Sequence, residues 1–178
     1  TGFSEQILFY SYNINSGKIY IFERYQGGVG CVQEFYKKFK EKREIILNEL
    51  KRRGYKLATI TGSLEELALR AKRILGLDYV KAHCRLYFDR NGFLKDWDLF
   101  PTDFYDKVEC AKRIARKEKI GLEECAYVGD GENDVFIMAE VGLSIAFAPE
   151  SEKVKRMAKV IIEKRDLKEI LPYFPKRF

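Results

Sequence analysis

The segment Ala126-Tyr127-Val128-Gly129-Asp130-Gly131-Glu132-Asn133-Asp134 carries an apolar run into a glycine turn with two carboxylates four residues apart. Open α/β sheets bind ligands beyond the carboxyl ends of their strands, and such a turn puts Asp130 and Asp134 there. Hard carboxylate oxygens beside a pliable backbone suit Mg²⁺, which keeps several waters and takes few protein carboxylates. The same spacing fits a structural turn in which Asp134 is the N-cap of the next helix. Spacing alone leaves both open. His83, the only histidine, stands beside Cys84 and could ligate a metal, but without a clustered partner it reads as structural. The four cysteines (Cys31, Cys84, Cys110, Cys125) form no C-x-x-C pair, so neither a zinc site nor a disulfide framework is expected. Cys110 and Cys125 fall inside helical and strand patterns and read as small core residues.

The elements that must position these residues alternate between strand and helix. That order predicts an α/β sheet covered on both faces within one domain of 178 residues. Residues 6–12 form the first apolar strand. Asn15-Ser16-Gly17 turns the chain into a second strand, Lys18–Arg24, and glycines 27, 28 and 30 follow. A helix is expected from Glu34 to Arg53, capped by Gly54. Leu57–Thr61 is a buried strand. Ser63-Leu64-Glu65-Glu66 fits a capping box for a helix that ends at Gly76. Tyr79–Lys81 is a short strand, and Arg85–Asp89 and Phe93–Phe100 make a hairpin around Arg90-Asn91-Gly92. A helix over Asp106–Lys119, a strand Cys125–Val128, a helix Asp134–Val141 and short strands at Leu143–Ala148 and Val160–Glu163 complete the pattern. The basic, aromatic tail 172–178 could be a binding segment, but it is rather expected to fold back on the domain or to fray.

Charge and hydropathy narrow the function classes. No apolar run approaches the roughly 20 residues needed to span a bilayer, and no signal peptide opens the chain, so a cytoplasmic protein is expected. The 33 basic and 27 acidic side chains leave a net charge of +6, which favours anionic partners such as phosphates. It does not by itself indicate nucleic acid, because most basic residues alternate with Glu along solvated helix faces. The richness in Lys, Glu, Ile and Tyr hints at a thermophilic source.

Set in this order, the motifs resemble the haloacid dehalogenase superfamily, in its phosphoserine phosphatase-like branch. Gly129–Asp134 looks like that family's fourth signature. Leu57-Ala58-Thr59-Ile60-Thr61-Gly62-Ser63 resembles the second, a strand ending in a phosphate-binding hydroxyl. Lys107, opening a helix before the Gly129–Asp134 turn, resembles the third-signature lysine. Glu163–Leu167 sits where the branch closes its sheet. The similarity covers roughly residues 45–173. It implies a Rossmann-like parallel sheet with helices on both faces, one domain over 1–178, and a Mg²⁺-dependent phosphomonoester hydrolase. Residues 6–30 would be first strand and flap, and 34–178 the remainder. Thr61 and Gly62 would hold phosphate oxygens and Lys107 would act as a point cation. Asp130 would bind Mg²⁺, and Asp134 would bind it or orient one of its waters.

The same resemblance assigns the catalytic aspartates of the first signature to a strand end, where this chain has Tyr12-Asn13-Ile14-Asn15-Ser16-Gly17. Asn13 takes the nucleophile position and Asn15 the acid/base position, both beside the metal. A carboxamide is a poor nucleophile, shuttles no proton, and leaves Mg²⁺ with two fewer negative charges. Three explanations follow: a natural pseudo-phosphatase that binds a phosphorylated ligand or a protein, an engineered variant, or a true first strand lying upstream. Between Gly17 and Thr61 there is room for a small flap and not for a large helical cap. The site is therefore expected to be open, shielded by the 85–100 hairpin, a large substrate or an oligomer partner. The expected partner is a small phosphorylated substrate or ligand.

Overall fold

The computed structural model describes residues 7–10, 45–100, 105–149 and 151–176. Among them the elements run β1 (Ile7–Tyr10), α1 (helical over 45–52), β2 (Lys56–Leu64), α2 (Glu65–Leu75), β3 (Tyr79–Phe88) and β4 (Leu94–Leu99). They continue with α3 (Tyr105–Glu118), β5 (Ala126–Gly129), α4 (Val135–Glu140), β6 (Leu143–Phe147), α5 (Glu152–Met157) and β7 (Val160–Ile162). The seven strands form one sheet in the order β4-β3-β2-β1-β5-β6-β7. Every neighbouring pair is parallel except the β3–β4 hairpin. The expected α/β sheet is therefore present.

Strand order reverses direction at β1, which pairs with β2 on one side and β5 on the other. Such a switch point opens a crevice, since the following connections leave on opposite faces. The register is informative here. Tyr10 stands opposite both Thr59 and Val128. Thr61 and Asp130 each lie two residues further on, so they stand level with each other on the two strands that flank β1.

Alternation along the strands sorts the core into two layers. Ala58, Ile60 and Tyr127 face α3 and α4, where Val108, Ala111, Ile114, Ala115, Ile137 and Met138 are buried. Leu57, Ala126 and Val128 face the other way, against Ile46, Leu47 and Leu50 of α1. Ile170 and Phe174 complete that second layer, so the described part of the tail folds back on the domain. Arg53 donates to the carbonyls of Leu171 (2.8 Å) and Phe174, and the Tyr55 ring meets Phe174 edge-on at 5.2 Å.

Three local expectations are corrected. The capping box at Ser63 does not form: β2 continues to Leu64, and no side chain caps α2. The acids meant for the cap have other partners, Glu65 pairing with Arg85 and Glu66 accepting from the Leu86 amide. Thr61 is not the last strand residue but the point where the β2–β3 register shifts. Tyr79–Lys81 and Arg85–Asp89 are not separate strands, because the chain runs extended from Tyr79 to Phe88. The α2 C-terminus ends as expected on Gly76, whose φ of +63° suits glycine. The expected strand Lys18–Arg24, the glycine-rich loop and the first part of the 34–53 helix lie outside the described residues.

Candidate functional site

Asp134 is the centre of the arrangement at the carboxyl end of β5. Its carboxylate is fully buried and takes hydrogen bonds from four groups of three different elements. Oδ1 accepts from Lys107 Nζ at 2.5 Å and from the Tyr127 hydroxyl at 2.6 Å. Oδ2 accepts from the backbone amides of Asp130 (3.0 Å) and Gly131 (3.2 Å). A buried carboxylate is tolerable only when paired and hydrogen-bonded in this way. One side chain thus joins the α3 lysine, the β5 tyrosine and the turn that carries Asp130.

The two readings that spacing left open for Asp134 can now be weighed. The residue does occupy the N-cap position of α4, but its side chain makes no capping bond. Both oxygens already hold donors, which suits a positioning role better than direct metal ligation. The close approach depends on Gly129, because a Cβ there would fall on Asp134 Oδ2.

Lys107 sits in the first turn of α3 and is fully buried with Asp134 as its ion-pair partner. Thr61 is 5% exposed on β2, and Gly62 beside it is exposed, so its backbone is accessible where a phosphate oxygen would arrive. Asp130 is half-buried at the strand end. Glu132 in the same turn points away and pairs with Lys153 at 3.3 Å. The structure thus sets Thr61 and Gly62 near the carboxyl end of β2 and Asp130 just past β5, on the two strands that flank β1, and ties Lys107 to the Asp130 turn through Asp134. Asn13 and Asn15 lie outside the described residues, three and five positions past Tyr10 in the sequence.

The donor set is consistent with Mg²⁺. Asp130 offers hard oxygen at the strand end, and Mg²⁺ needs only one or two carboxylates because water and phosphate supply the remaining ligands. Among the described residues no three His, Cys, Asp or Glu side chains gather as a metal cluster. His83 belongs to no such cluster among the described residues, and its Nδ1 is buried with no hydrogen-bond partner among them. Burial pushes the Cys110 thiol up and so keeps it a core residue rather than a nucleophile. No helix among the described residues is long and apolar enough to cross a membrane.

Two residues of the site escaped the sequence. Tyr127 reads there as an ordinary strand aromatic. Alternation on β5 could have pointed to it, since it faces the side on which α3 packs. Gly129 reads as a turn residue, while its role is to leave room for a carboxylate five positions later.

Residues 95–169 match the family of haloacid dehalogenase-like hydrolases. Phosphoserine phosphatase of Methanocaldococcus jannaschii is 38% identical over 130 residues, covering 73% of this chain and 61% of that protein. The Lactococcus lactis phosphoserine phosphatase is 32% identical and covers 74% of this chain and 60% of its own. The chain thus spans about 60% of the length of these curated relatives. Among solved structures, a phospho-aspartyl intermediate analogue of phosphoserine phosphatase superposes with a TM-score of 0.74 at 27% identity. That likeness covers 96% of this chain and 99% of the other.

Proposed function

The chain belongs to the haloacid dehalogenase superfamily, in its phosphoserine phosphatase-like branch, and on that footing we propose that its site serves Mg²⁺-dependent hydrolysis of a small phosphomonoester. One observation carries the reading. Thr61 and Asp130 stand level on the two strands flanking β1, and Asp134 holds the Lys107 ammonium against the turn that bears Asp130. A phosphoryl group at that switch point meets a hydroxyl, the Gly62 amide, a cation and a metal-binding carboxylate together.

Each residue has a physical task. The Thr61 hydroxyl and Gly62 N–H donate to phosphate oxygens, and Lys107 supplies a fixed positive charge. Asp130 would hold Mg²⁺, with Asp134 keeping the turn and the lysine in place. Bound Mg²⁺ would neutralise phosphoryl charge as a bond to phosphorus breaks. Asn13 takes the family's nucleophile position and Asn15 its acid/base position, also beside the metal. With amides at both, hydrolysis by the native chain should be far slower than with aspartates there. The relatives' substrate makes phosphoserine the first compound to try.

The test is Mg²⁺-dependent phosphate release from an aryl phosphate and from phosphoserine, comparing the chain with an Asn13→Asp/Asn15→Asp variant. Turnover by the variant alone supports the site and makes this chain its inactivated form. Turnover by the native chain supports the activity but moves the nucleophile away from Asn13. No turnover by either removes the hydrolase reading.

A further inference from the structure

The β3–β4 hairpin has two unlike faces, and the register defines them. Cys84 stands opposite Leu99 and Leu86 opposite Trp97 on one face, and past a register shift that skips Lys95 Phe88 stands opposite Leu94, so all three pairs are apolar. On the other face Arg85 stands opposite Asp98 and Tyr87 opposite Asp96. The polar face is held locally, by Arg85 forked onto Glu65 and by the Tyr87 hydroxyl on Asp98 (2.6 Å). The apolar face is open: Phe88 is 54%, Leu94 52%, Trp97 58% and Leu99 61% exposed. An antiparallel sheet with one apolar face normally buries it.

We propose that this apolar face is a self-association surface, on which a second copy of the chain packs its own hairpin face to face, with Trp97 at the centre. Area is the first argument. The four side chains and Phe93 at the turn leave roughly 600 Å² open, close to the roughly 800 Å² that each partner gives to a standard interface. Charge is the second. The chain carries a net +6, yet residues 84–99 are neutral, with Arg85, Arg90 and Lys95 set against Asp89, Asp96 and Asp98. Two copies therefore repel least at this surface, and none of the six paired apolar residues introduces a charge that would face itself across a two-fold axis.

Edge-to-edge pairing, the other route open to an end strand, is disfavoured. A two-fold axis that pairs two β4 strands antiparallel keeps each face on its own side, so over Asp96–Leu99, clear of the register shift, only residues of like parity oppose. Axes at 96 and 98 set Asp96 and Asp98 against themselves, and an axis at 97 sets Asp96 against Asp98. Like charges directly opposite destabilise such a ladder, as edge strands commonly exploit. The contact left to a second copy is through the face.

Sedimentation velocity of the full chain over a range of concentrations tests this. The expected result is a concentration-dependent species at twice the 20.9 kDa chain mass. Trp97→Glu should raise the dissociation constant about thirtyfold or more, the usual scale for a central aromatic anchor. Leu99→Lys, also exposed, should weaken the dimer in the same direction, while Asp96→Asn on the polar face should leave it intact. Circular dichroism checks that each variant stays folded. A chain that is monomeric throughout, with its apolar face left open or covered by something else, overturns the proposal. So does a dimer that survives both Trp97→Glu and Leu99→Lys, or one that Asp96→Asn dissolves equally.

Discussion

At the carboxyl end of β5 a charged side chain is buried and supplied with hydrogen bonds; at β4 large apolar side chains stand in solvent. Both regions belong to one sheet, and the contrast separates what holds the domain together from what it presents. The Asp134 cluster couples α3, β5 and the turn before α4, so disturbing it should be felt globally. The hairpin meets the domain along one strand and through Glu65 and Glu66, which hold Arg85 and the Leu86 amide, so disturbing it should stay local.

The sharpest way to break this comparison is Asp134→Asn. It removes the buried carboxylate that Lys107 pairs with, and urea unfolding should show a loss of about 3–5 kcal/mol. A change below about 1 kcal/mol, the range for surface substitutions, would put Asp134 in the same class as the hairpin residues. Tyr127→Phe removes one donor to a charged acceptor and should cost about 1.5–3 kcal/mol in the same assay. Gly129→Ala forces the Asp134 carboxylate or the turn to shift, with an expected cost of about 1–3 kcal/mol.

The hairpin should show the smallest effect, and one tied to pH. The Arg85 guanidinium donating to Glu65 holds that carboxyl below the ordinary carboxylate range. A depressed folded value means the pair stabilises above the ordinary Glu pKa, and the contribution is lost as pH falls through the lowered one. Because the pair is partly exposed, the effect is confined to a small increase in β3–β4 amide exchange on acidification. Glu65→Gln should abolish that increment. Equal acid sensitivity in β5 would show that the two regions do not differ as described.

Much of the fold was legible because its signals are local. The short buried run Leu57–Thr61, the helical spacing of Val108, Ala111, Ile114 and Ala115, and the Arg90-Asn91-Gly92 turn each lie within one short segment. The misreadings arose where a distant partner decided the outcome. The capping box at Ser63 failed because Glu65 and Glu66 serve β3. The two carboxylates of the 129–134 turn were legible as a pair, but their division of labour was not. That division depends on Lys107 and Tyr127 reaching Asp134 from 27 and 7 residues away.

The most direct test of the site itself is calorimetric binding of inorganic phosphate to the chain, with and without Mg²⁺, compared with Asp130→Asn and Thr61→Ala. The expected result is phosphate binding that strengthens at least about tenfold with Mg²⁺, a coupling of about 1.4 kcal/mol or more. Asp130→Asn should remove that Mg²⁺ dependence, and Thr61→Ala should weaken phosphate binding while leaving the dependence in place. Phosphate binding that ignores both Mg²⁺ and these two side chains would contradict the assignment of this shelf as a phosphate and metal site.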